Sequence, residues 1–150
     1  MKTAIILRGL PGSGKTTYAR SLHPAKICSA DSLFETKAGY HFDPSLLDFA
    51  HANCFYLYLR ALEDQGQGLI VVDNTNCQPL EIAPYWMAAR ALGVNPMIHY
   101  VYTSVATALQ RNIHHVPEPA IRKMEANLQI PIPARWKQLI IQPNFPSKEK

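Results

Sequence analysis

Apolar residues along this chain fall into two kinds of run, and their alternation predicts the fold. Thr3-Ala4-Ile5-Ile6-Leu7-Arg8 and Leu69-Ile70-Val71-Val72-Asp73 are short and almost continuously apolar, as strands covered on both faces are. Lys26-Ile27-Cys28-Ser29 and Met97-Ile98-His99-Tyr100-Val101-Tyr102, the latter led in by Asn95-Pro96, read as two more strands. Between them the spacing turns helical. Lys15 to Leu22 predicts a first helix. Asp43 as N-cap and Pro44 in the first turn open a long second one. Its stripe is Leu46, Leu47, Phe49, Ala50, Cys54, Leu57, Tyr58, Ala61 and Leu62, and Gly66 and Gly68 stop it. His51 reads as structural, and Phe55, Tyr56 and Tyr58 as core and flank rather than a base-stacking platform.

Pro79 to Leu92 predicts a helix interrupted or kinked at Pro84 and ended by Gly93. A further helix starts at Ser104, capped by Ser104 or Thr103. Pro119 to Leu128 predicts another, with Ile121, Met124 and Leu128 on one side. His99 in its strand reads as a core or flank histidine. From Ile130 onward Pro131, Pro133, Pro143 and Pro146 make the chain irregular, with an edge strand expected within Trp136–Ile141. The order βαβαβαβαα implies an α/β fold: a parallel sheet of about five strands with helices on both faces.

Composition narrows the class. At 150 residues, 47% hydrophobic and 17% charged, the chain reads as one domain over 1–150 with a substantial core. No apolar run approaches the roughly 18 residues of a membrane span, so no membrane association is expected. The N-terminal apolar run is too short for a signal peptide. Cys28, Cys54 and Cys77 are three, without C-x-x-C spacing. This argues against a disulfide framework or zinc site and for small buried residues in a reducing cytoplasm. Charge is uneven. Residues 1–110 carry eight cations and eight carboxylates, whereas 111–150 carry seven and three. The excess attracts polyanions weakly, and part of it sits in the tail Lys148-Glu149-Lys150.

The chemistry starts at Gly9-Leu10-Pro11-Gly12-Ser13-Gly14-Lys15-Thr16, which fits G-x-x-x-x-G-K-[ST] between a strand and a helix. Glycines let successive N–H groups turn toward phosphate oxygens, and the helix N-terminus adds partial positive charge. Gly9, Pro11, Gly12, Ser13, Gly14, Lys15, Thr16 and Thr17 are the expected nucleotide contacts. Lys15 reaches the β- and γ-phosphates, and Thr16 ligates Mg2+. Asp73, ending its apolar strand, is the expected second metal residue. Asn74-Thr75-Asn76 follows on the same edge, either as ligand-facing groups, Asn74 and Asn76 among them, or as an ordinary turn. Asp31 ends the second strand, where ligands of open α/β sheets bind. It is either a ligand-edge residue beside the P-loop or the N-cap of the turn Ser32–Glu35. Arg111 is either a lid cation over the phosphates or a cation favoured at a helix C-terminus. His114-His115 belongs to the same lid path.

These segments together resemble the P-loop kinases related to the kinase domain of phage polynucleotide kinase, especially short stand-alone ATP-binding relatives. The carrying residues are Gly9 to Thr17, Ser29-Ala30-Asp31, Tyr40 and Phe42, Asp73-Asn74-Thr75-Asn76, Pro84-Tyr85, and Arg111-Asn112-Ile113-His114 with Val116-Pro117, then Ile121 and Met124. They cover about residues 3–128. The resemblance implies a kinase-type P-loop NTPase fold in three layers, with a lid over about 111–118 and a Pro-rich extension over about 129–150. It implies ATP as phosphoryl donor with Mg2+, and a polynucleotide 5′-hydroxyl of DNA or RNA as acceptor. Asp31 becomes the general base, and Lys15 and Arg111 the phosphate cations. Phe34 and His115 stand where the polynucleotide kinases carry arginines, so His115 takes an arginine's place on the substrate side. No phosphatase or ligase unit is expected. Two other classes stay open: a small-molecule kinase of the zeta-toxin or gluconate-kinase type, and a non-catalytic ATP-binding module.

Overall fold

The computed structural model describes residues 2–143; the Lys148-Glu149-Lys150 tail lies outside the described residues. The elements run β1 (Thr3–Arg8), α1 (Lys15–Ser21), β2 (Lys26–Cys28), β3 (Glu35–Thr36), β4 (Gly39–Tyr40), α2 (Leu47–Glu63), β5 (Leu69–Val72), α3 (Pro79–Ala91), β6 (Asn95–Val101), α4 (Val105–Gln110), α5 (Glu118–Leu128) and β7 (Gln138–Ile141). Short 3-10 turns occupy Ala30–Phe34 and Pro44–Leu46.

Five strands form one sheet in the order β2-β5-β1-β6-β7, and every pairing in it is parallel. The central strands are buried on both sides, which is why β1 and β5 read as unbroken apolar runs. One face carries Ala4, Ile6, Ile70, Val72 and Ile98 against α2 and α3. The other carries Ile5, Leu7, Val71 and Val101 against Ala19 and Tyr18 of α1. A third cluster joins Leu10 and Cys77 to Ala108 of α4 and to Ile121 and Leu128 of α5. The three-layer parallel fold expected from the chain is therefore present. Cys28, Cys54 and Cys77 are buried and free.

Four differences from expectation have physical causes. Lys37 to Phe42 reads as a loop, but Glu35–Thr36 and Gly39–Tyr40 pair antiparallel; two residues per strand are too few to show alternation. The α2 stripe is narrower than its apolar positions suggest. Ala50, Cys54, Tyr58, Ala61 and Leu62 are buried, while Phe49, Tyr56 and Leu57 fall on the next flank and stay exposed. Leu46 closes the 3-10 turn and Leu47 is the first residue of α2, and at this helix end both stay exposed. Helix α3 runs through Pro84 without interruption. Proline removes the donor for the Leu80 carbonyl, but Leu80 is 80% exposed, where water can replace it. Finally, β7 is an edge strand as expected, shortened to Gln138–Ile141.

Candidate functional site

The loop after β1 is built by contacts that only glycine permits. Gly9 has φ +151°, and a Cβ there would meet the Val101 carbonyl at 2.4 Å. Its N–H donates to the Thr75 carbonyl at 2.9 Å, tying the loop to the segment after β5. At the apex, Gly12 has φ +80°, and a Cβ would lie 3.0 Å from the Ala108 carbonyl and 3.2 Å from Arg111 Cβ. The end of α4 thus rests directly on the loop, which places Arg111 beside it. Pro11 and Ser13 complete the turn, with Ser13 N–H donating to the Leu10 carbonyl.

Helix α1 then starts at Lys15 with Gly14 as N-cap. No side chain caps it, and no acidic residue lies in its first turn. Its first N–H groups, with Thr16 and Thr17 exposed beside them, form a ready anion site. Lys15 is buried. Its ammonium donates to the Gly9 and Leu10 carbonyls at 3.0 and 2.7 Å and contacts Ser13 Oγ at 3.4 Å. Burial lowers its pKa, and the nearby Asp73 charge works against that.

Asp73 follows β5 and is itself buried. Thr16 Oγ1 donates to Asp73 Oδ2 at 2.8 Å, so the two expected metal residues meet. Burial raises the Asp73 pKa, while the Thr16 hydrogen bond and then the Lys15 charge oppose the rise. This pair of hard oxygen donors beside a phosphate cradle fits Mg2+, which takes few protein ligands and relies on phosphate and water for the rest.

Asp31 sits in the 3-10 turn after β2. The N-cap of that turn is Ser29, whose hydroxyl accepts from Asp31 N–H at 3.2 Å. Asp31 as an N-cap is thereby corrected: its backbone is capped, and its carboxylate is exposed. Tyr40 of β4 donates its hydroxyl to Asp31 Oδ1 at 3.2 Å. Burial first, and the Asp31 charge second, push the Tyr40 phenol up to about 12. The Asp31 charge is felt at both Lys15 and Asp73, so all three occupy one electrostatic neighbourhood.

Asn74 and Asn76 are buried and turned toward the protein's own backbone. Asn74 Oδ1 accepts from Ala30 N–H at 2.9 Å, fixing the turn that bears Asp31. Asn76, at φ +43°, donates through Nδ2 to the Leu7 carbonyl at 2.7 Å. Past α4, Asn112 clamps the segment up to Val116: its Oδ1 accepts from Val116 N–H at 2.8 Å and its Nδ2 donates to the Val116 carbonyl at 2.6 Å. The His114 ring lies against the Tyr40 ring with centroids 4.0 Å apart. His115 is exposed at φ +53°. Phe34 is buried against the rings of Tyr40 and Phe42.

Sequence reasoning missed Arg8. This buried cation donates through Nε to the Asn76 carbonyl at 3.2 Å, through Nη2 to the Cys77 carbonyl at 2.7 Å, and through Nη1 to Gln138 Oε1 at 3.2 Å. It also lies 5.7 Å from the Tyr100 ring centre. Burial lowers its pKa, yet a guanidinium keeps its proton. The available signal was an arginine ending an otherwise apolar strand. Beside the loop, an open cleft of about 340 Å3 is lined by Thr103, Ser104, Thr107, Arg111 and Gln142.

The family described as AAA domain matches residues 5–131. Human NEDD4-binding protein 2 is 33% identical over 136 residues, covering 83% of this chain but 8% of that protein. The chain therefore spans a small part of that relative's length. The structure of the Pnkp1/Rnl/Hen1 RNA repair complex superposes with TM-score 0.70 at 18% identity, over 85% of this chain and 44% of that one. A gluconokinase from Sinorhizobium meliloti superposes with TM-score 0.63 at 12% identity, over 96% and 84%. These superpositions show a shared P-loop kinase fold.

Proposed function

This chain belongs to the AAA domain family, and from that premise we propose that it is an ATP-dependent kinase acting on a hydroxyl, with a polynucleotide 5′-hydroxyl as acceptor. The observation that carries the reading is the exposed Asp31 carboxylate, held by Tyr40 and sharing its neighbourhood with Lys15 and Asp73. A nucleotide switch needs no carboxylate there, which counts against a non-catalytic ATP-binding module.

The triphosphate lies along the backbone from Gly9 to Thr17 at the N-terminus of α1. Lys15 exchanges its loop carbonyls for β- and γ-phosphate oxygens. Thr16 and Asp73 would hold Mg2+, which would supply charge neutralisation for the phosphates. Arg111, held at the loop by the Gly12 contact, balances charge on the transferring phosphoryl group. The adenine enters the cleft beside Arg111 and Ser104. Asp31 accepts the acceptor hydroxyl's proton as the new O–P bond forms and the bond to the leaving ADP breaks. Asn74 and Asn76 act on substrate through the backbone they hold, and His115, next to the His114 whose ring packs on Tyr40, is assigned to the acceptor side. The segment 111–118 serves as a lid within one kinase domain, and the free buried cysteines suit a reducing cytoplasm.

A second reading rests on Phe34 and His115. The positions where polynucleotide kinases carry arginines hold a buried phenyl ring and an exposed imidazole. A phosphodiester acceptor gains no guanidinium from them, which favours a small hydroxyl metabolite. Transfer of labelled γ-phosphate from ATP to 5′-hydroxyl DNA, 5′-hydroxyl RNA, nucleosides and sugars decides between the two. We expect label on an oligonucleotide and none with Lys15→Ala. Label on a sugar or nucleoside alone selects the second reading, and label on nothing removes both.

A further inference from the structure

A second cleft, of about 460 Å3, lies at the opposite end of the sheet. Arg90 at the end of α3 and Arg135 and Lys137 from the segment before β7 all line it. Asn95 lines it at the start of β6, whereas the Val101 carbonyl at the end of β6 abuts Gly9. At about 3.3 Å per residue, β6 separates this cleft from the P-loop by about 20 Å. It is not part of the site described above.

Three cations line this cleft together. Among the described residues that line it none is acidic. The side chains of Arg90, Arg135 and Lys137 form no ion pair or hydrogen bond with any described residue. Scattered surface cations are ordinary, but these three share one concavity, so they repel one another and favour an anion between them. The lining also carries apolar side chains. Trp86 is buried and stacks on Trp136 with ring centres 5.5 Å apart, and Met87 and Pro96 continue the wall. A low-polarity wall strengthens the field of nearby charges.

The ligand must answer both features. Guanidinium forks match phosphate oxygens in pairs, and an apolar wall accepts a base or sugar. An acidic peptide would use the cations and leave the wall uncovered. The volume falls in the range of about 300–1,000 Å3 usual for small-ligand sites. We propose that this cleft is a second binding site, separate from the P-loop, for a nucleotide unit bearing a phosphate. Two sources offer that chemistry, a free nucleoside monophosphate and a nucleotide within a single strand. The inference goes beyond the phosphoryl-transfer reading and is tested by binding alone.

The test is an anisotropy titration of labelled adenosine monophosphate and of a short labelled single strand, with a non-hydrolysable ATP analogue saturating the P-loop. It compares the wild type with an Arg90→Gln/Arg135→Gln/Lys137→Gln triple variant across a salt series. We expect the slope of log affinity against log salt to fall by about 0.7 per cation removed, about 2 in all, for the single strand. Affinity for the ATP analogue stays unchanged. Tight monophosphate binding that the strand cannot displace identifies the free nucleotide as the source; displacement identifies the strand. If the triple variant unfolds, Arg135→Gln alone must show the fall of about 0.7. Equal slopes in variant and wild type overturn the proposal. So does a wild type that binds neither probe, or polyglutamate that competes as well as the strand. Loss of phosphoryl transfer with the cleft effect intact counts against the kinase reading alone.

Discussion

Asp31 and Ser29 divide two roles that the sequence left on one residue. Ser29 caps the turn, so Ser29→Ala should cost about 1 kcal/mol of stability and act on turnover only through the turn's position. Asp31→Ala should leave the denaturant midpoint nearly unchanged and lower kcat by roughly 10²–10⁴-fold, with ATP affinity preserved. Denaturant midpoints and single-turnover rates on both variants check this; an Asp31→Ala protein at the wild-type rate removes it from the site. Asp73 is a different case. Burial opposes its charge, so the fold carries this carboxylate at a cost. Asp73→Asn should match or exceed the wild-type melting midpoint without metal, and lose the midpoint gain that Mg2+ with ATP gives the wild type. Scanning calorimetry with and without Mg2+ and ATP reads both effects, and an equal gain in both proteins would disprove the metal role.

Among elements, the functional edge is held by links between loops rather than by any one strand. Arg8 at the end of β1 joins the Asn76–Cys77 loop to Gln138 of β7. Gly9 ties to Thr75, and Asn74 ties the Asp31 turn to the end of β5. Replacing Arg8 by methionine fills part of the space but leaves buried carbonyls of Asn76 and Cys77 without a donor. Arg8→Met should cost roughly 2–3 kcal/mol and weaken ATP binding as well, because Gly9 and Thr75 move with that loop. Chemical denaturation and calorimetric ATP titration on the same protein test the coupling. A stability loss with wild-type ATP affinity would confine Arg8 to the core.

Across the whole molecule, α1 is pinned to the sheet by a titratable contact. Tyr18 and His99 share a hydrogen bond of 2.8 Å between the hydroxyl and Nδ1, and among the described residues His99 Nε2 has no partner. Burial lowers the His99 pKa, so the folded state resists the proton that an unfolded histidine takes near pH 6.5. The unfolded state then binds more protons below about pH 6.5, and stability falls as pH drops through that window. Asp73, with a raised pKa, acts in the opposite sense above its unfolded value of about 3.9. The measurement is therefore the melting midpoint from pH 7.5 to 5 in wild type and His99→Gln. The variant should show a shallower decline on acidification; parallel curves would mean His99 does not couple to stability.

The sequence by itself determined the layers and the phosphate loop. Buried strands must be apolar throughout, and a glycine-rich turn between strand and helix is a local device, so both show in a few consecutive residues. That Asp73 and Thr16 stand on the loop's edge was legible for the same reason, each at a fixed place in a local pattern. Only the tertiary structure decided which neighbours share a site. It chose Ser29 over Asp31 as cap, set Tyr40 on the Asp31 carboxylate and His114 on Tyr40, and turned Asn74 and Asn76 inward. It also gave Arg8 its partners 68, 69 and 130 residues away along the chain. Those choices depend on sheet order and on contacts across long separations, and no window of sequence contains both ends of such a contact.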